Sequence, residues 1–179
     1  MNKRKELTFK VALGGIVSAL SLVLMILSGV TFSLEYAIPM ITGALLMVLV
    51  VEFGKGFAGV IYLVVSVLSL LLLGNKEPAV MYLMFFGYYP IVKSILEQRF
   101  KSCWVLKYII FNVSMIASYF VVTKIFMISF DDIMEFGKYA LLILLFVGNV
   151  LFAMYDVLLT RLVSIYIYRW RKHIKRVFK

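Results

Sequence analysis

Three tyrosines in one apolar stretch carry the polar groups of this sequence that are most difficult to place. Tyr88 and Tyr89 lie near the middle of the stretch and Tyr82 lies two helical turns earlier. A phenol hydroxyl in an apolar environment needs a hydrogen-bond partner, because an unpaired polar group costs several kcal/mol there. Gly87 and Pro90 bracket the tyrosine pair, and a proline inside a helix favours a kink. The pattern indicates either internal hydrogen bonds at a kink or a cavity lined by one of the pair together with Tyr82.

The residues needed for several kinds of membrane-enzyme chemistry are missing. His173 is the single histidine and Cys103 the single cysteine, so a metal site of paired ligands is not expected. The serines of the apolar stretches have no histidine that could act as their base. No glycine-rich phosphate-binding loop occurs, and the apolar segments contain no pair of carboxylates. We therefore predict that the chain is not an enzyme and holds no metal or other cofactor.

The elements that position these side chains are six long apolar segments. The chain has 179 residues, of which 64% are hydrophobic, and its mean hydropathy is +1.02. A helix that crosses a bilayer needs about 20 apolar residues. The segments are roughly 9–30, 35–51, 57–73, 78–96, 104–127 and 139–167. They predict an all-α, polytopic integral membrane protein, with residues 1–179 forming one six-helix domain that ends in a basic tail, 168–179.

The distribution of cations predicts the orientation of these helices. If all six segments span, every Lys and Arg of the 19 except Lys76, Lys124 and Lys138 lies on one side. The positive-inside rule makes that side the cytoplasm, with both termini on it. A five-span alternative would put later cations on the wrong side. Orientation and anionic lipid account for the net charge of +10, so we expect a lipid partner and no nucleic acid.

Small residues line one half of the first segment. Gly15 and Ala19 are four residues apart, and Ala12 lies about one turn earlier. Small residues at this spacing form a flat strip against which another helix can pack closely. The strip predicts either packing within this bundle or docking onto a separate membrane subunit.

The chain resembles the substrate-binding S component of an energy-coupling factor transporter. The resemblance covers six helices, a basic start, the small residues of the first helix and the run YAIPMITGALLMVLVVEFGKGFAGVIYLVVSVLSLLLL, whose glycine-containing turn is Glu52–Gly56. The family usually has Ala at four-residue spacing on the first helix. Here Ile16 stands at that spacing from Ala12, and Gly15 to Ala19 is the nearest equivalent.

This resemblance implies capture of a micronutrient such as a vitamin, with ATP hydrolysed by separate subunits. Ala12, Gly15 and Ala19 would face a transmembrane coupling subunit. The small-molecule substrate would bind among the outer ends of the helices. The residues implied for that pocket are Glu35, Tyr36, Asn75, Tyr82, Tyr88, Tyr119, Lys124 and Asn149.

A second family is also compatible with six helices and short loops. Rod-shape-determining proteins of the MreD-like type are small membrane scaffolds of cell-wall assemblies without a ligand pocket. The alternative prediction is therefore a structural scaffold that transports nothing.

Overall fold

The computed structural model describes residues 3–29, 34–100, 103–126 and 140–170. For residues 3, 140–144 and 170 it describes the backbone only. The acidic segment containing Asp131, Asp132 and Glu135 lies outside these residues, as do His173 and most of the basic tail.

The described residues are helical almost throughout and contain no strand, which confirms the all-α prediction for this part of the chain. The helices are α1 (Lys3–Ser28), α2 (Ala37–Phe53), α3 (Lys55–Leu72), α4 (Glu77–Met81), α5 (Tyr89–Arg99), α6 (Trp104–Phe120) and α7 (Ala140–Ile165). Three π-helical segments adjoin them: Tyr82–Phe86 after α4, Val121–Ile125 after α6 and Tyr166–Trp170 after α7. These bounds lie within a few residues of the six predicted segments, apart from the N-terminal extension of α1.

The helices have the length and surface expected in a bilayer. Within the part of the chain that the structure describes, five helical stretches are at least 18 residues long and apolar enough to cross a membrane, and α2 is slightly shorter at 17 residues. Large apolar side chains such as Val11, Leu71 and Val105 are exposed on the outside of the bundle. Lipid contact would cover this surface without cost, so the structure is compatible with a membrane protein.

Helix α2 lies at the centre of the bundle. It packs against α1, α3, α5 and α7. Its sequence, AIPMITGALLMVLVVEF, is apolar on nearly all sides, as expected of a helix with neighbours all round. Ile38, Leu46 and Leu49 are among its buried side chains.

Contacts between helix ends define the two ends of the bundle. Gly54 alone separates α2 from α3, and its φ of 82° lies in the region that only glycine enters easily. At this Gly54 end, Lys55 Nζ donates to Gln98 Oε1 at 2.7 Å, and Tyr166 OH donates to Glu52 Oε1 at 3.3 Å. The opposite end, which we call the Asn75 end, holds the α3–α4 turn.

The fourth predicted helix is interrupted near its middle. The Gly87 backbone N–H donates to the Tyr82 carbonyl at 2.8 Å, which closes a π-helical turn. A turn at Gly87 and Tyr88 follows, and Pro90 occupies the first turn of α5. The break therefore lies where the tyrosine pair and the proline predict a kink.

Candidate functional site

Four side chains form a hydrogen-bonded cluster at the Asn75 end. Asn75 Nδ2 donates to Glu35 Oε1 at 2.7 Å, and Asn75 Oδ1 accepts from the Glu77 backbone N–H at 3.0 Å. Tyr36 OH donates to Glu77 Oε1 at 2.5 Å. We call Glu35, Tyr36, Asn75 and Glu77 the Asn75 cluster. It links the α1–α2 connection to the α3–α4 turn and contains three of the eight residues that the resemblance implies.

The Asn75 cluster holds two carboxylates, those of Glu35 and Glu77. Lys76 is adjacent in sequence, but its Nζ donates to the backbone carbonyls of Leu70 (2.9 Å) and Leu73 and so caps the end of α3. Among the described side chains no Lys or Arg forms an ion pair with Glu35 or Glu77. Among the described residues, Glu35 and Glu77 are therefore held by hydrogen bonds from Asn75 and Tyr36 and not by ion pairs.

The tyrosines of the interrupted helix lie in the core. Tyr88 OH and Ser114 Oγ are 2.5 Å apart and share a hydrogen bond between the two helical stretches. Tyr82 is fully buried beside the Tyr62 ring, and its hydroxyl has no partner among the described residues. For Tyr88 the structure therefore supports the internal hydrogen bond that the sequence offered as one alternative.

The remaining three residues lie elsewhere. Asn149 and Asn112 exchange two amide hydrogen bonds of 3.0 Å between α7 and α6. Tyr119 is partly buried beside Phe120, and Lys124 is exposed near the end of α6. The structure thus brings Glu35, Tyr36 and Asn75 together and distributes the other five over the core and the α6–α7 side. Their role in binding a substrate stays a prediction.

A buried ionic network joins α5, α6 and α7. Lys93 Nζ lies 2.5 Å from Asp156 Oδ1 and 2.8 Å from Glu97 Oε1. Lys107 Nζ lies 2.7 Å from Glu97 Oε1 and 3.0 Å from Asp156 Oδ2. Tyr89 OH donates to Asp156 Oδ1 at 2.6 Å. We call these five residues the Asp156 network. Its two ammonium groups balance its two carboxylates, which makes burial of Lys93, Lys107 and Asp156 tolerable.

Sequence reasoning missed this network. In the sequence pattern, Lys93 and Lys107 belong to the cations predicted on the cytoplasmic side of the membrane. In the structure, the Lys93 side chain is 0% exposed. Asp156 accepts hydrogen bonds from Lys93 of α5 and Lys107 of α6. A signal was present, because both lysines lie inside apolar segments, where an ionisable side chain requires a partner.

The small residues of α1 face away from the bundle. Ala12, Gly15 and Ala19 are exposed, and a Cβ added at Gly15 would have no neighbour within 4 Å. Gly14, by contrast, is buried, and a Cβ there would lie 2.6 Å from the tip of the Phe57 ring. Packing within the bundle therefore uses Gly14 and leaves the Ala12–Gly15–Ala19 strip uncovered.

A groove runs between α2 and α7, with a volume of about 580 Å³. We call it the α2–α7 groove. Its walls include Met40, Ala44 and Val48 of α2 and Tyr155, Leu158 and Leu162 of α7. None of the eight residues implied by the resemblance lines it. The groove is continuous with the lipid-facing surface and is almost entirely apolar.

Comparison of the chain with protein-family models, with curated proteins and with solved structures gives no match. Function must therefore be argued from the geometry of the chain itself.

Proposed function

We propose that the protein is a membrane-embedded substrate-capture subunit for uptake of a small molecule, energised by separate ATPase subunits. In this proposal all six helical stretches span a bacterial plasma membrane with the Gly54 end in the cytoplasm. The Asn75 end then faces outward, where a scavenged solute arrives. ATP hydrolysis falls to partners.

The observation that carries the proposal is the exposed strip on α1. A helix that buries one face within its own bundle has no need of small residues on the other face. Ala12, Gly15 and Ala19 nevertheless form a flat surface there, without a side chain of the bundle over Gly15. Such a surface allows close approach of a helix from another subunit. Under the proposed orientation, it lies in the cytoplasmic half of the membrane.

Enlarging the strip should abolish association with membrane partners. We expect the Gly15→Leu/Ala19→Leu variant to lose at least about 90% of copurifying ATPase and coupling subunits, because leucine separates the helix backbones where association in lipid depends on close packing. Affinity purification from the native membrane, followed by mass spectrometry, measures this loss. The variant should still give a monodisperse peak, since both positions are exposed.

The matched control is Ser164→Leu, which enlarges an exposed small side chain on α7 and should leave copurification unchanged. Wild-type protein that brings down cell-wall synthesis proteins and no ATPase would replace the transport proposal with the scaffold. A double variant that associates normally would rule out the strip as the docking surface.

The scaffold has one specific observation in its favour. The eight residues implied for a pocket are divided between the Asn75 cluster, the core and the α6–α7 side, and most of their polar groups are satisfied by one another or by neighbours. A protein without a ligand would need only such internal bonds.

Thermal stabilisation by a ligand separates the two functions. If the protein captures a micronutrient, one compound of a vitamin panel should raise the melting temperature of the purified protein by several degrees, because ligand at 100 times Kd contributes about 2.7 kcal/mol. Asn75→Ala should remove the shift by breaking both hydrogen bonds of Asn75. Lys124→Ala is the comparison variant. Its melting temperature should stop responding to the ligand only if Lys124, exposed near the end of α6, contributes to the site. A panel without any stabilising compound would favour the scaffold.

A further inference from the structure

Charged and hydroxyl side chains follow one another through the core of the bundle. The interrupted helix, Glu77–Arg99, is the most buried of the five long apolar stretches among the described residues. Of the residues in its apolar window 61% are buried, against at most 33% in the other four stretches. Ionisable side chains inside a membrane commonly mark a pathway for ions or protons. The polar groups of this core are therefore candidates for proton transfer.

The Asp156 network forms the part of this series at the Gly54 end. Tyr89, Lys93 and Glu97 are spaced four residues apart and share one face of α5. Glu97 is 40% exposed and lies two residues before the end of α5. Lys93 Nζ lies 2.8 Å from Glu97 Oε1 and 2.5 Å from Asp156 Oδ1, and Tyr89 OH donates to the same Asp156 oxygen at 2.6 Å. Hydrogen bonds therefore run without a break from an exposed carboxylate to a buried phenol.

Two tyrosine hydroxyls continue the series beyond Tyr89. The ring centroids of Tyr89 and Tyr155 are 6.0 Å apart, and the Tyr155 hydroxyl interacts electrostatically with that of Tyr82. Tyr82 and Tyr155 are 0% and 1% exposed, and neither hydroxyl has a hydrogen-bond partner among the described residues. Burial of an unpaired hydroxyl is unfavourable, and water is the partner that such groups commonly take. A hydroxyl bonded to water can accept one proton and donate another.

Polar side chains of α3 extend the series to the Asn75 end. Tyr62, Ser66 and Ser69 share one face of α3, and the Tyr62 ring centroid lies 6.1 Å from that of Tyr82. Ser69 is fully buried, and its hydroxyl also has no partner in the described part of the chain. Lys76, which caps α3, follows at the Asn75 end. We call this series the polar file: the Asp156 network, the hydroxyls of Tyr155, Tyr82, Tyr62, Ser66 and Ser69, and Lys76.

We propose that the polar file transfers protons between the Gly54 end and the Asn75 end of the bundle. This activity goes beyond the proposed capture function and does not rest on it.

The transfer leaves every group of the polar file with the protons it began with. A proton from solution forms an O–H bond at the Glu97 carboxylate. Lys93 then gives one N–H proton to Asp156 and takes up the proton of Glu97, so its charge is unchanged. The Asp156 carboxyl gives its proton to the Tyr89 oxygen, while the original Tyr89 proton moves to the next hydroxyl or to water between the hydroxyls. The last group releases a proton at the Asn75 end, and one proton has crossed.

Proton flux into liposomes tests this activity. Purified protein is reconstituted into liposomes that contain the pH-sensitive dye pyranine, and a potassium gradient with valinomycin supplies the driving potential. We expect the initial rate of internal pH change to exceed that of protein-free liposomes by at least about fivefold. A rate equal to that of protein-free liposomes would overturn the proposal.

Removing the two unpaired tyrosine hydroxyls should stop the flux. We expect the Tyr82→Phe/Tyr155→Phe variant to lose at least about 90% of the protein-dependent rate, because a phenyl ring neither accepts nor donates a proton. The variant keeps both rings and breaks no hydrogen bond to a described residue, so it should elute as a monodisperse peak like the wild type. If the double variant fails to fold, Tyr155→Phe alone provides the same test.

Tyr108→Phe is the matched control. It removes a tyrosine hydroxyl of α6 outside the polar file, where the ring packs on Phe152, and should retain the wild-type rate. Wild-type flux in the Tyr82→Phe/Tyr155→Phe variant, or an equal loss in Tyr108→Phe, would rule out the polar file as the path.

Discussion

Replacing Asp156 with asparagine should lower the free energy of unfolding by about 3–5 kcal/mol. The change removes one of two carboxylates that face two buried ammonium groups, those of Lys93 and Lys107. The remaining carboxylate, on Glu97, is the more exposed of the pair and cannot balance both lysines. Reversible unfolding in mixed micelles with increasing sodium dodecyl sulfate, followed by far-ultraviolet circular dichroism, measures the loss.

The control on the same helix is Arg161→Gln, whose side chain is exposed and whose loss should change stability by no more than about 0.5 kcal/mol. A variant without these four charges tests whether stability requires the ion pairs themselves. Replacing Lys93 and Lys107 with methionine, Glu97 with glutamine, Asp156 with leucine and Tyr89 with phenylalanine should restore most of the stability, because apolar groups of similar volume commonly substitute for buried ion pairs. A loss below about 1 kcal/mol for Asp156→Asn would show that water already solvates the network.

Gly43→Ala should destabilise the protein by about 3 kcal/mol, at the upper end of the cost of overpacking. A Cβ at this position would lie 2.2 Å from the Phe86 carbonyl oxygen and 2.7 Å from the Tyr155 hydroxyl. The first of these atoms belongs to the backbone of the π-helical segment, so relief requires α2 to move away from it. The same unfolding experiment gives the magnitude.

Gly59→Ala is the matched control, because it makes the same chemical change inside α3. A Cβ at Gly59 would have no neighbour within 4 Å, so alanine should stabilise the helix by up to about 1 kcal/mol. Equal stability of the two variants would mean that α2 and the π-helical segment separate easily. Such a result would also mean that the α2–α7 groove can change its width, because its wall residue Tyr155 lies against Gly43.

Local features were the most predictable. The turn at Gly54 and the interruption before Pro90 both follow from residues adjacent in sequence, a glycine with positive φ and a proline without an N–H group. For Tyr88, the sequence predicts only that the hydroxyl needs a hydrogen-bond partner. That it is Ser114 depends on how α6 packs against the interrupted helix.

The candidate sites were less predictable because each joins distant parts of the chain. Glu35 and Asn75 are 40 residues apart and meet because α1–α2 and α3–α4 turn at the same end. Lys93 and Asp156 are 63 residues apart. A hydropathy profile averages over a window of residues. It therefore does not distinguish a lysine buried against a carboxylate from a lysine exposed at a helix end.

For the described residues, the sequence by itself determined the approximate bounds of the helical segments and their apolar character, because these depend on composition within one turn or one segment. The tertiary structure decided which face of each helix is covered. It placed Gly14 against Phe57 and left Gly15 open, although the two are adjacent in sequence. It also left a groove beside the central helix and brought Glu35 and Asn75 together at one end of the bundle. Such features depend on the rotation of one helix relative to another, which the pattern along a single helix does not contain.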